Sequence, residues 1–411
     1  MRLRLSVAVA MSVVLAGCGS TTDDPKSGKV TISYAIWEKN DQPSTQKMIE
    51  AFQQKNPNVT VKLEITPWDQ YWTKLQTAAS GGAAPDVFWM NSLNVRLYAK
   101  GGVIAPVDAD VSAFPKAIAD AYVYEGKRYG LPRDVGIPAL WYDKELFDKA
   151  GVDYPTADWT WDDVKSAAKK LTDPAKKQYG ILAPMWDQVG FYNTIAQAGG
   201  HVISADGKKS GFDEPGTIQG LEFWTDLMKD KVAPPAQVTT DTEPMQLFMT
   251  GKYGMIYGGS WFAAAFKSNA ERGTKVDAAP LPKGPVQEGS ILLGLANSVS
   301  AKSEHPKEAA AFAQFLSSQE AETILSTSGG ASIPSRAGTQ DGWFKSFPDY
   351  HLKEVFDASV PNGVPYPVSI NTAKWQDVQN TVLAEAWAGR KPVADAAREI
   401  ATKMNDILAK E

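Results

Sequence analysis

A chain of 411 residues outgrows a single hydrophobic core, so two lobes are expected. Its composition, 43% hydrophobic and 22% charged, is that of a globular chain and excludes a disordered or membrane-embedded one. A formal charge of -5 with no basic face argues against a nucleic-acid partner, and His201, His305, His351 and the single cysteine are too widely spaced for a metal-ligand cluster.

At the N-terminus, Arg2 and Arg4 precede an apolar run over residues 5–16, too short to span a bilayer as a mature helix. It closes on Leu15-Ala16-Gly17-Cys18, which resembles the lipobox of bacterial lipoproteins. That resemblance implies removal of residues 1–17 and a diacylglyceryl anchor on Cys18, on the extracytoplasmic face of the cell membrane. The cut would lower the formal charge from -5 to -7, and polar residues 18–29 read as a flexible tether.

Residues 30–36 then read as a strand ending at Trp37-Glu38. Ser44 or Thr45 can cap a helix with Met48, Ile49 and Phe52 on one face. Val59, Val61, Leu63 and Ile65 alternate with polar residues, a second strand. Pro67-Trp68 opens a helix closed by Gly81-Gly82, and residues 87–90 make a third strand running into Asn91. This βαβαβ order predicts a parallel sheet covered by helices, whose ligands sit beyond the carboxyl ends of the strands. Trp37, Trp68 and Trp89 fall at those ends, with Glu38 and Asn91 beside two of them.

The stretch 129–147 has no helical period; Pro132 and Pro138 hold it extended, and the pair Arg133-Asp134 interrupts an apolar run. It reads as a crossing between lobes that exposes Arg133 and Asp134 in the intervening cleft, or as a buried edge strand with a surface ion pair. A helix over 161–171 leads to a strand around 179–183 ending at Trp186-Asp187. Pro215 starts another helix, in which Trp224 has core spacing. A strand over 253–257 runs into Gly258-Gly259-Ser260-Trp261, where the glycines admit a close approach and Trp261 stands over it. Residues 291–300 suit a return crossing through Gly294. A helix over 306–317, a loop over 326–336 and two tail helices, about 375–388 and 393–409, complete the chain.

With these residues in place the chain resembles the family 1 extracellular solute-binding proteins of bacterial ABC importers, the group of maltose-binding protein. The matching pieces include Gly81-Gly82-Ala83-Ala84-Pro85-Asp86-Val87, Gly101-Gly102-Val103-Ile104-Ala105-Pro106-Val107-Asp108, Gly126-Lys127-Arg128-Tyr129-Gly130-Leu131-Pro132, Leu140-Trp141-Tyr142-Asp143-Lys144-Glu145-Leu146-Phe147, Trp159-Thr160-Trp161-Asp162-Asp163, Phe248…Gly251-Lys252…Met255…Gly258…Trp261 and Ser303-Glu304-His305-Pro306-Lys307-Glu308-Ala309. Each is weak alone, but as an ordered set they cover most of the mature chain. Asp143 departs from the family's more frequent Asn, a change expected to matter little.

The resemblance implies an α/β fold of the type II periplasmic-binding-protein kind: two lobes, each a mostly parallel sheet with flanking helices, joined by hinge strands and closing on a ligand. It divides the chain into 30–135 and 294–336 in the first lobe, and 136–293 and 337–411 in the second. It implies a monomer that hands its ligand to the permease subunits of an importer, with no cofactor, no metal and no catalysis. The implied ligand-binding residues are Trp37, Glu38, Trp89, Asn91, Arg133, Asp134, Trp186, Asp187, Gly259, Trp261, Gly294 and Arg336.

These residue types suit a sugar, because aromatic planes take the C–H face of a pyranose while carboxylates and Arg take its paired hydroxyls. Trp261 and one of Trp37, Trp89 or Trp186 would sandwich a di- or oligosaccharide. Core packing is the preferred reading for Trp68, Trp72, Trp159, Trp161 and Trp224; Trp375 stays open. Two other classes share these features: a secreted glycoside hydrolase with paired carboxylates, and a binding protein for a polyamine or other cation.

Overall fold

The computed structural model describes residues 28–411; the signal segment, Cys18 and most of the tether lie outside the described residues. Two sheets organise the chain. In the first, Val59–Ile65, Val30–Ile36 and Val87–Asn91 lie side by side and parallel, with Val30 opposite Val59 and Tyr34 opposite Val87. Val59–Ile65 is an edge strand and keeps its alternation, whereas Val87–Asn91 is interior and buried throughout. Leu295–Ser300 enters antiparallel beside Val87–Asn91 and itself pairs with Ile104–Ala105 and Leu131–Pro132.

The second sheet runs Tyr179–Ile181, Tyr253–Gly259, Pro138–Asp143, Val276–Ala279. Only its first pair is parallel. Each sheet is therefore mixed, not mostly parallel as anticipated, because the strands that cross between the lobes join their sheets antiparallel.

The expected crossings meet at the hinge. Gly136 N–H donates to the Leu293 carbonyl at 2.7 Å, and Leu293 N–H donates back at 3.1 Å. The third pass, which a lobe boundary at 336/337 requires, carries a strand that was not anticipated: within the segment read as a loop, Ile333–Pro334 pairs antiparallel with Asp134–Val135. A two-residue strand is too short to show a period in the sequence.

The first lobe has one core, where Tyr34, Phe52 and Phe312 meet ring to ring. The second sheet is covered on both faces, by Trp161, Trp224, Leu383 and Ile400 on one and by Trp141, Phe266, Trp343 and Leu352 on the other. The tail helices Thr372–Trp387 and Val393–Leu408 belong to the first of these faces; the unanticipated helices Asp341–Ser346 and Leu352–Ser359 belong to the second. Trp375 is fully buried there, its indole N–H donating to Ser369 Oγ, so it packs and does not face the cleft.

Two local expectations change. The first long helix begins at Gln42, ahead of Ser44 and Thr45, with Pro43 in its first turn; Ser44 donates to the Asp41 carbonyl instead of capping. Asp143 is consequential: it is buried, caps the helix Lys144–Ala150 by accepting from Leu146 N–H, and forms an ion pair with Arg272. The cap would survive in an Asn; the ion pair would not.

Candidate functional site

A cleft of about 350 Å³ opens over the crossing strands, where the carboxyl ends of the first sheet face the second lobe. Its first-lobe wall is aromatic. Trp37 stands at the end of the first strand, edge-on to Trp68 at 5.1 Å, to Tyr71 at 4.9 Å and to Trp89 at 5.0 Å. Trp37 is half-buried, whereas Trp68 is 52% exposed. Trp89 is fully buried and forms the floor, its indole N–H donating to Tyr34 Oη at 2.7 Å.

Glu38 follows Trp37 to the rim and caps the next turn by accepting from Asn40 N–H at 2.9 Å. Asn91 accepts from Asn94 through its amide oxygen, so its NH₂ group is the polar function it offers the cleft.

The second-lobe wall comes from the turn after Tyr253–Gly259. Trp261 lies across that turn, and a Cβ on Gly259 would sit 2.3 Å from its ring. The bare backbone of Gly259 thus seats an indole, not a ligand as expected. Ser260 and Gln188 complete this wall. Gln188 is carried by a π-type turn, Asp187–Phe191, anchored at Asp187, which accepts from Tyr366 Oη at 2.6 Å and Gln376 Nε2 at 3.0 Å. Burial pushes the Asp187 carboxyl above its ordinary pKa against the pull of these donors.

Beneath the aromatic floor lies a buried ionic network. Arg133, 2% exposed, stacks on Trp89 with its guanidinium carbon 4.2 Å from the ring centroid. It donates to Asp134 at 2.5 Å, to Asp41 at 2.9 Å and to Ser332 at 2.9 Å. Asp41 in turn accepts from Ala331 N–H at 3.0 Å and from Ser332 at 2.9 Å, tying the third crossing to the first lobe. Burial alone would lower the Arg133 pKa, but Asp41 and Asp134 outweigh it and hold the guanidinium charged. Asp134 faces both ways: it lines the cleft, yet accepts from Arg133 and, at 2.7 Å, from Leu295 N–H. Burial raises its pKa, and these two donors pull back without cancelling the rise.

Of the twelve anticipated residues, seven line this cleft: Trp37, Glu38, Trp89, Asn91, Asp134, Trp261 and Gly294. The carbonyl of Gly294 already accepts from Tyr122 Oη, and a Cβ there would meet the Asp134 carbonyl oxygen at 2.5 Å. Five stand apart. Arg133 and Asp187 are engaged in the internal contacts above, and Gly259 lies beneath Trp261. Trp186 packs edge-on against Phe262 at 6.0 Å, ahead of the Gln188 that reaches the cleft. Arg336 turns away to donate to the Ser317 carbonyl at 3.3 Å, over the Phe114 ring.

This cleft agrees with a match to the family model of the bacterial extracellular solute-binding protein, which aligns with residues 37–323. The chain belongs to that family. Among solved structures, this solute-binding protein is similar to an ABC substrate-binding protein of Listeria monocytogenes in complex with cycloalternan, at 30% identity and a TM-score of 0.83, covering 93% of this chain and 99% of that one. It is also similar to a diacetylchitobiose-binding protein of Streptomyces coelicolor, 25% identical over 438 residues, covering 100% of this chain and 99% of the relative. A maltotriose-binding protein of Pyrococcus abyssi is 28% identical over 62% of this chain and 54% of its own length. Among the described residues, no helix is long and apolar enough to cross a membrane.

Several cleft residues of this solute-binding protein escaped the sequence reading. Trp68 shares helical spacing with Tyr71 and Leu75, which are buried, but it occupies the first turn, where the same face overhangs the end of the sheet. Ser332 and Ala331 arrive on the short third crossing, and Gln188 on a turn with non-helical backbone at Gly190.

Proposed function

We propose that this protein is the sugar-capturing component of an ABC importer, held on the extracytoplasmic face of the cell membrane through a lipid on Cys18. The first lobe (30–135 and 294–336) and the second (136–293 and 337–411) close on a di- or oligosaccharide. The half-exposed faces of Trp37 and Trp68 take one side of the sugar and Trp261 the other. Glu38 and Asp134 accept from its hydroxyls, with Asn91, Gln188, Ser260 and Ser332 supplying neutral partners. The observation that carries this reading is one cleft lined by indoles of both lobes and by carboxylates, a combination that fits the apolar face and polar rim of a pyranose.

The relatives whose names state sugars of two or more units support the choice of an oligosaccharide. Capture proceeds without turnover: Asp134 is tied to Arg133 and Leu295 instead of being poised as an acid or base. The test is a thermal-shift panel of mono- to oligosaccharides, with spermidine as the cationic rival, followed by calorimetry and analysis of the recovered sugar. An intact oligosaccharide bound one-to-one supports the reading; stabilisation by spermidine alone, or hydrolysis over several turnovers, overturns it. Cys18→Ser is expected to move the protein from the membrane to the soluble fraction, and unchanged retention would refute the anchor.

A further inference from the structure

We propose that the cleft sorts its ligands by charge: it takes uncharged and amine-bearing sugars and rejects those carrying a carboxylate or phosphate. This rests on the sugar-capture reading and adds a rule to it. The only ionisable side chains along the described cleft wall are Glu38 and Asp134, both acidic. The nearest guanidinium offsets Asp134 only in part, because it is shared with the buried Asp41 and the three groups together keep a negative charge. Arg133 is buried behind Trp89, with its terminal nitrogens on Asp134, Asp41 and Ser332, so no face of it is open to a ligand. Arg336, the other cation expected nearby, points at Ser317 and Phe114.

A ligand anion would therefore meet two carboxylates and no cationic partner. The indoles of Trp37, Trp68 and Trp261 deepen the bias, since their ring faces carry partial negative charge and attract cations. Asn91, Gln188, Ser260 and Ser332 hydrogen-bond hydroxyls, but as neutral groups they do not compensate a full negative charge. Excluding water on closure would strengthen the repulsion, because charges interact more strongly in a medium of low dielectric constant.

The test uses matched probes on the intact soluble chain: maltotriose and diacetylchitobiose as uncharged sugars, chitobiose with free amines, and the terminal uronic acid and 6-phosphate of each uncharged sugar. Affinities come from calorimetry at low and high salt. The uncharged sugar that binds best should outcompete its acidic counterparts by about tenfold or more at low salt, with the gap narrowing as salt rises. The amine form should bind at least as well relative to the acids. Glu38→Gln should narrow the gap without changing the melting temperature of the free protein. An acidic sugar bound as tightly as its neutral parent overturns the charge rule and leaves sugar capture standing. Binding of none of the probes, of any charge, overturns both.

Discussion

Replacing Arg133 by Met separates a structural role for this side chain from a ligand-binding one. The substitution leaves Asp41, fully buried, and Asp134 without their shared cation, and strips Trp89 of the guanidinium stacked on it. Removing one partner of a buried pair costs about 3–5 kcal/mol, because the remaining charge is stranded in a medium that solvates it poorly. For lobes of this size that corresponds to a fall in melting temperature on the order of 10 °C. The assay is urea denaturation of the single variants Arg133→Met and Asp41→Asn and of the double variant. The double variant should lose less than the sum of the singles, since each removes the other's reason for being costly. If Arg133→Met proved as stable as the parent and lost only affinity, the side chain would be reaching the ligand and the buried network would be misassigned.

Four further outcomes follow from the same geometry. Glu322 is buried and its pKa is raised well above the carboxylate range, chiefly by desolvation; the folded state then keeps a proton that the unfolded state releases, so stability falls as pH rises from the unfolded pKa up to the folded one. Glu322→Gln should flatten that fall in pH-dependent denaturation and gain on the parent as pH rises, whereas parallel curves would refute the assignment. Asp143→Asn should keep its helix cap but weaken the hold on Arg272, which retains Glu145, and lower stability by about 1–3 kcal/mol in chemical denaturation. Trp68→Ala should reduce sugar affinity in calorimetry by about tenfold with little change in melting temperature, because the ring is half exposed. Gly259→Ala should push Trp261 from its seat and weaken binding, visible as an altered indole emission spectrum before any loss of fold.

The sequence made the cleft legible where position alone decides it. Trp37, Trp89 and Asn91 sit at the carboxyl ends of strands that run the same way, and such ends open on one side of a sheet. Arg133 was not legible, because whether a guanidinium faces solvent or the interior depends on its partner, and Asp41 lies 92 residues earlier in the chain. Arg336 failed for a related reason: pairing of Ile333–Pro334 with Asp134–Val135 fixes where the chain goes next, and no local pattern announces that pairing. Trp68 carried a true helical period that gave the wrong answer, since the period identifies a face and not what that face overhangs.

The most direct measurement is calorimetric titration of the parent, Trp37→Ala and Trp261→Ala with the oligosaccharide that stabilises the protein most. A one-to-one complex in the parent, weakened at least about tenfold in each variant at a temperature where all three proteins are folded, is the predicted result. Equal affinity in all three proteins would contradict capture between the indoles of the two lobes.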